Sequence, residues 1–308
     1  MTMPKLAPGP SMAMIKRNMD QLLKRPPWWA WFSLMGLEIP CAAIAWAFAV
    51  SQSHLVVVSS PWLYQFLFVA VWCVNMLDRM VKVFRGSPSM YSNECLLFAK
   101  KHCFVFSLLV VVAAIAGLWI MLFQLGVVIF EFAFVPCVFS FLFLIFSTNP
   151  HRQGRWSGKF ILSVCLASAA FATGAGIPAY FYGSMNGSWA GLLSPSTWYL
   201  AALVVLSMFS RERWNEAEDV RHETAAQDKV DLVWMGVIVI YVVFCLAAAA
   251  REYTADVWIF YGLAMAGAFM FVLDRLKKNM PPLMLYSFSW AALIFPLVLS
   301  GLLIKVSS

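Results

Sequence analysis

Charged residues are scarce in this chain of 308 residues, since 12% are Asp, Glu, Lys or Arg whereas 62% are hydrophobic. No soluble domain of this length needs so much apolar surface, so the composition excludes a soluble enzyme or binding module. The seven cysteines include no CxxC pair and form no cluster with the four histidines, so we predict neither a disulfide framework nor a zinc site. The long apolar runs also lack the alternation that is typical of a β-barrel.

What the chain has instead is long apolar segments. We identify nine, and most of them reach the ~20 residues that a helix needs to cross a bilayer. Backbone N–H and C=O groups in hydrocarbon must be bonded internally, so these segments are predicted to be helices. They cover residues 29–50, 60–77, 103–123, 126–147, 159–182, 195–210, 231–250, 255–273 and 283–304.

The positions of lysine and arginine predict how these segments are oriented. Twenty of the 22 lie before the first segment or in alternate connections, which leaves only Arg251 and Lys305 for the other side. By the positive-inside rule, the N-terminus is cytoplasmic and the C-terminus lies outside. The net charge of +7 therefore reports topology and does not indicate a nucleic-acid partner. We expect a multi-pass protein in a lipid bilayer such as the bacterial inner membrane.

The chain divides into two parts. Residues 1–28 are predicted to be a cytoplasmic segment, in which residues 14–24 form a short amphipathic helix on the membrane surface. Residues 29–308 are predicted to be an all-α domain of nine transmembrane helices. Residues 86–102, between the second and third apolar segments, show no clear pattern and are predicted to be a loop.

One dense charged stretch, residues 211–223, follows the sixth apolar segment and holds five of the 15 acidic residues. If it is helical, it places Asn215, Asp219 and Glu223 on one face, because they are spaced by four residues. Oxygen-bearing side chains in this arrangement at a membrane boundary could hold a hard cation such as Mg²⁺. The alternative is a solvated cytoplasmic loop.

A second polar group closes the second apolar segment. Asn75, Asp78 and Lys82 fall on one helix face, on the same predicted side of the membrane as the charged stretch. In the first segment, Glu38 is an intramembrane carboxylate, which is either functional or a protonated or paired structural residue. Acids, amides and bases therefore converge at the cytoplasmic ends of the helices.

Nine helices with a cytoplasmic N-terminus and polar motifs after helices two and six resemble the UbiA-type intramembrane prenyltransferases. That family carries NxxxDxxxD after helix two and DxxxD, often NxxxDxxxD, after helix six. Asn215, Asp219 and Glu223 match the second motif, with one acid replaced by another. The first motif departs from the pattern, because Asn75 and Asp78 are three residues apart and the third acid is missing.

The resemblance implies an enzyme that moves a prenyl group from an isoprenyl diphosphate to a small acceptor, often an aromatic ring, with Mg²⁺ as cofactor. The implied metal ligands are Asn75, Asp78, Asn215, Asp219 and Glu223. The implied catalytic residues are Asp78, Asp219 and Lys82. The implied contacts to the diphosphate are Arg79, Lys82, Arg152 and Arg155.

Lys82 stands where the family has its third acidic residue, and two interpretations remain open. Its ammonium group either supplies fixed positive charge in place of a metal, or pairs with Asp78 and disables the site. The second interpretation favours a non-catalytic homologue that binds an isoprenoid or lipid diphosphate. A membrane transporter is a third hypothesis, although only residues 174–178 carry the Gly and Pro pattern of an interrupted span.

Overall fold

The chain folds into helices throughout the part that the structure, a computed structural model, describes. The described residues are 30–53, 60–85, 94–126, 128–147, 158–182, 194–219, 225–251, 257–277, 280 and 282–307. The helices are α1 (Ala30–Leu34), α2 (Glu38–Ser53), α3 (Pro61–Phe84), α4 (Glu94–Lys101), α5 (Cys103–Ile120, continued by a π-turn Met121–Leu125), α6 (Ile129–Phe146), α7 (Gly158–Tyr182), α8 (Pro195–Asp219), α9 (Ala225–Arg251), α10 (Val257–Leu276) and α11 (Pro282–Ser307).

Each of the nine predicted apolar segments lies in one of these helices or, for the first segment, in two. Five described stretches are long and apolar enough to cross a membrane, namely Cys103–Leu125, Ile129–Phe146, Gly158–Tyr182, Val230–Arg251 and Val257–Leu276. Large apolar side chains such as Phe104 on α5 and Phe244 on α9 are exposed. Apolar surface of this extent suits lipid and not water, so the chain is an integral, multi-pass membrane protein.

Helix α7 lies at the centre of the bundle. It packs against α2, α6 and α8, and its side chains are buried without interruption from Gly174 to Tyr180. The small residues in this stretch allow the neighbouring backbones to approach closely, as the Ala, Ser and Gly content of the sequence predicts. The helix continues through residues 174–178, so the Gly and Pro residues there do not interrupt it.

The interruption lies instead in the first predicted span. Helix α1 ends at Leu34 and α2 begins at Glu38, with Gly36 between them at a φ of 66°. Only glycine adopts this left-handed conformation without a steric cost. A Cβ atom at Gly36 would also lie 2.6 Å from Asn75 Nδ2 on α3. This break was not predictable from the sequence, because a single glycine within an apolar run is compatible with a continuous helix.

The prediction of a loop over residues 86–102 is wrong for residues 94–101, which form α4. This helix buries Leu96, Phe98 and Ala99, while Lys100 and Lys101 are exposed. Eight residues are too few for a clear periodic signal, and a helix this short depends on tertiary packing for its stability. The packing is supplied by α1, α3 and α5.

Candidate functional site

A cavity of about 530 Å³ lies between α2, α3, α4, α6, α7, α8 and α11. Most of its wall is apolar, with Phe66, Phe141, Phe171 and Trp290 among the lining residues. The charged residues that line it are Glu38, Asp78, Arg79, Lys82, Arg211 and Glu212. The cavity thus combines an apolar wall with ionisable groups from three separate helices, which is the usual composition of a ligand site.

The break between α1 and α2 forms one part of the polar wall. Ending α1 at Leu34 leaves backbone carbonyl groups without helical partners, and side chains of α3 donate to four in succession. Arg79 Nη1 donates to Ser33 O and Leu34 O at 3.0 Å each. Trp72 Nε1 donates to Met35 O at 2.9 Å, and Asn75 Nδ2 donates to Gly36 O at 3.0 Å. These contacts fix the break against α3.

Asn75 and Arg79, predicted respectively as a metal ligand and a diphosphate contact, therefore have a structural role in holding the α1–α2 break. Both side chains also line the cavity. Arg79 has one further contact, from Nη2 to Glu38 Oε1 at 3.4 Å. The break brings Glu38 to the cavity, because Glu38 is the first residue of α2.

Asp78 is held by two partners. Lys82 Nζ donates to Asp78 Oδ2 at 2.6 Å, one helical turn away on α3. Ser147, which follows α6, donates from Oγ to Asp78 Oδ1. Of the two interpretations of Lys82, the structure thus contains the ion pair with Asp78, and the ammonium group of that pair lines the cavity.

The first motif is engaged by partners within the protein. Both oxygens of Asp78 accept hydrogen bonds, and one of these comes from an ammonium group whose positive charge would repel a cation at the same carboxylate. The Asn75 side chain is oriented by its bond to Gly36 O. Within the described part of the chain, no group of three or more His, Cys, Asp or Glu residues could hold a metal ion.

The second motif lies largely outside the described residues. Helix α8 continues through Asp219, so positions 215 and 219 are helical as predicted, but the side chains of Asn215 and Asp219 are not described. Glu223, Arg152, Arg155 and the predicted amphipathic helix at residues 14–24 also fall outside the described residues. Their predicted roles stay predictions.

Arg211 is the site residue that the sequence interpretation missed as a candidate contact. Its Nε and Nη2 donate to Ser289 Oγ of α11 at 2.9 and 2.6 Å. Its guanidinium carbon lies 4.0 Å from the centroid of the Trp290 ring, within cation–π distance. No described carboxylate forms an ion pair with it. The available signal was its position in sequence, one helical turn before Asn215 and two before Asp219.

A separate ionic cluster joins α8, α9 and α10 outside the cavity lining. Asp231 pairs with Arg213 and with Lys277, the latter at 2.7 Å. Lys277 also lies 3.7 Å from Asp274, whose carboxylate accepts a hydrogen bond from Trp214 Nε1 at 3.1 Å. Two cations and two carboxylates compensate one another here, so the cluster stabilises the contact between the three helices.

Comparisons of the chain with protein-family models, with curated proteins and with solved structures find no match.

Proposed function

We propose that the protein binds an isoprenyl diphosphate in the cavity and transfers its prenyl group to a small acceptor, as in the UbiA-type prenyltransferases that its sequence resembles. The observation that carries the proposal is the composition of the cavity: an apolar wall with the cations Arg211 and Lys82 among its lining residues. An isoprenyl diphosphate has an apolar chain and an anionic head, so it complements both features.

Arg211 is the principal contact to the diphosphate in this proposal. Ser289 and Trp290 hold the guanidinium group in place, so little side-chain freedom is lost when an anion binds. Its Nη1 makes no hydrogen bond to a described residue and is available for a phosphate oxygen. Arginine suits this task because its planar donor group matches the geometry of phosphate oxygens.

Transfer requires the allylic C–O bond to break, with the electron pair leaving on the diphosphate. The positive charges of Arg211 and Lys82 stabilise the negative charge that develops there. The aromatic faces of Phe171 and Trp290 line the same cavity and can shield the allylic cation. The acceptor then forms the new bond to the prenyl carbon and loses a proton.

We propose that Mg²⁺ is held by the second motif alone. Since Asp78 is paired with Lys82, the ammonium group of that pair is the cation that the first motif presents to the diphosphate. The proposed ligands remain Asn215, Asp219 and Glu223. They are spaced by four residues along one helix face, and Mg²⁺ prefers oxygen ligands of the kind that their side chains carry. When bound there, the ion would neutralise further charge on the leaving diphosphate.

A second candidate function is supported by the Asp78–Lys82 ion pair. If that pair disables the first motif, the protein binds an isoprenoid or lipid diphosphate without transferring it. Both candidates predict the same ligand and differ only in turnover. Binding and transfer must therefore be measured separately.

The proposed topology has all nine apolar segments crossing the bilayer, with the N-terminus and the polar end of the cavity on the cytoplasmic side. The distribution of lysine and arginine supports it. In this orientation a water-soluble diphosphate head reaches Arg211 from the cytoplasm, while the prenyl chain lies within the membrane.

The test uses the full chain in lipid nanodiscs with tritiated geranyl diphosphate. Arg211→Gln removes the charge and is expected to weaken binding about 10- to 100-fold, because a charge-assisted hydrogen bond contributes about 1.5–3 kcal/mol. Arg275→Gln is the matched control, since Arg275 is exposed at the end of α10 and does not line the cavity. Unchanged binding in Arg211→Gln, with normal folding, would refute the proposal.

Transfer is followed on the same samples with a panel of phenolic acceptors, with and without Mg²⁺. Prenylated product that depends on Mg²⁺ and disappears in Asp219→Ala supports the transferase. Binding without product for any acceptor supports the non-catalytic candidate.

A further inference from the structure

Glu38 is a buried carboxylate whose hydrogen-bonding capacity is only partly used. It is 4% exposed, it opens α2 directly after the break, and it lines the cavity. Its Oε1 lies 3.4 Å from Arg79 Nη2, whereas its Oε2 is buried and has no hydrogen-bond partner among the described residues. A buried carboxylate oxygen without a partner is costly, so such an oxygen beside a cavity points to a ligand.

The contact with Arg79 does not account for the position of Glu38. Arg79 directs Nη1 at the carbonyl oxygens of Ser33 and Leu34, which hold the guanidinium at 3.0 Å from each. Only Nη2 reaches Glu38, through one oxygen at the longer distance of 3.4 Å. A carboxylate kept solely as a counter-ion would be expected to meet the guanidinium group through both oxygens. Oε2 is thus the oxygen of this cavity-lining residue that no described group binds.

The surroundings of Glu38 restrict what that group can be. Ile39, Phe171 and Trp290 line the same cavity, and the cations Arg79 and Arg211 act electrostatically on Glu38. A ligand beside Glu38 therefore meets an apolar wall as well as these two cations. A carboxylate accepts hydrogen bonds, so the ligand must present an O–H or N–H donor. An anionic ligand would place a like charge against Glu38 and is disfavoured.

We propose that Glu38 Oε2 binds the second substrate of the cavity by accepting a hydrogen bond from an O–H or N–H group, and that this substrate is an uncharged, ring-sized molecule such as a phenol. The inference rests on the proposed function, in which an acceptor shares the cavity with the prenyl donor. It assigns the acceptor to Glu38 and the diphosphate to Arg211, so the two ligands have separate recognition groups.

The test compares two probes that differ in one hydrogen-bond donor. 4-Methylphenol carries an O–H, and 4-methylanisole has the same ring and methyl group but only an ether oxygen. Binding of each probe to the full chain in nanodiscs is measured by calorimetry. The wild type is expected to prefer 4-methylphenol by about tenfold or more, which corresponds to one hydrogen bond to a charged group.

Glu38→Gln provides the sharper readout. The amide oxygen can keep the contact with Arg79. The NH₂ group, which is a hydrogen-bond donor, then takes the position of Oε2, which is an acceptor. We expect the preference to disappear or reverse in favour of 4-methylanisole. A purely structural role for Glu38 would weaken both probes equally. Glu131→Gln is the control, because Glu131 is exposed at the start of α6 and does not line the cavity.

Binding of geranyl diphosphate, measured on the same samples, separates this inference from the proposed function. Normal diphosphate binding together with equal affinity of the wild type for the two probes would overturn the assignment of Glu38 alone. A clear preference for 4-methylphenol without diphosphate binding would support Glu38 and count against the prenyl donor. Failure of both probes to bind at millimolar concentration would also overturn the assignment.

Discussion

Replacing Gly36 by alanine perturbs the break between α1 and α2 at its most constrained point. Gly36 has a φ of 66°, which an L-amino acid with a Cβ atom adopts only at a cost. The added methyl group would collide with Met76 and would lie 2.6 Å from Asn75 Nδ2 and 3.2 Å from Arg79 Nη2. Gly36→Ala therefore strains the backbone and displaces the side chains that bind the carbonyl groups of the break.

The two contributions can be estimated separately. The left-handed conformation costs about 1–2 kcal/mol for a residue with a Cβ atom. Overpacking by one methyl group in a filled site typically costs about 1–3 kcal/mol. Their sum predicts a destabilisation of about 2–5 kcal/mol for Gly36→Ala.

Two other glycines provide matched controls. Gly126, in the connection between α5 and α6, has a φ of 77° but nothing within 4 Å of an added Cβ. Gly126→Ala should thus show a backbone cost alone, of about 1–3 kcal/mol, because a φ of 77° with a ψ of 173° lies in a region that essentially only glycine adopts. Gly236, within α9, has neither constraint, and Gly236→Ala should stabilise the helix by about 0.5–1 kcal/mol.

The assay is thermal unfolding in mild detergent, followed by the fluorescence of the 14 tryptophans. We expect the unfolding temperature to fall in the order Gly236→Ala, wild type, Gly126→Ala, Gly36→Ala. If Gly36→Ala loses no more than the backbone cost of about 1–2 kcal/mol, the close packing of Gly36 against α3 is refuted. If Gly36→Ala is as stable as the wild type, the break itself is refuted.

Two further substitutions test the ionic contacts. Lys82→Met removes the ammonium group beside Asp78, and we expect geranyl diphosphate to bind about tenfold more weakly because a cation of the cavity is lost; tighter binding in the equilibrium assay would instead show that Lys82 blocks the site. Asp231→Asn leaves Arg213 and Lys277 without their shared carboxylate, and should lower the free energy of unfolding by about 3–5 kcal/mol, as for other broken buried ion pairs. A loss below about 1 kcal/mol in detergent unfolding would contradict a stabilising role for that cluster.

The helical segments were predictable because their signal is local. Five are apolar runs long enough to cross a membrane, where the absence of water demands a helix. The observed helix ranges follow the nine predicted segments closely. The break at Gly36 was not predictable in this way. It depends on Trp72, Asn75 and Arg79, which lie about forty residues away and donate to the carbonyl groups that the break exposes.

The candidate site was predictable only in part, for the same reason. The spacing of Asn75, Asp78 and Lys82 identified them from the sequence as neighbours on one face of α3, since residues three and four apart on a helix lie side by side. Arg211 was overlooked because its role depends on Ser289 and Trp290, which belong to the last helix and approach it only in the folded bundle. The charge of Arg211 alone does not distinguish it from an arginine whose position only reflects the orientation of the chain in the membrane.

Two features are best understood together: the first motif differs from the pattern of the prenyltransferases that the sequence resembles, and the first predicted span is broken. Asn75 and Arg79 are occupied by carbonyl groups that a continuous helix would have bonded internally. Lys82 neutralises Asp78, so α3 contributes no net negative charge through this pair to attract a second cation. A helix that must bind a broken neighbour needs donors, whereas a helix that binds a metal needs free acceptors. Glu38, the first residue after the same break, lines the cavity.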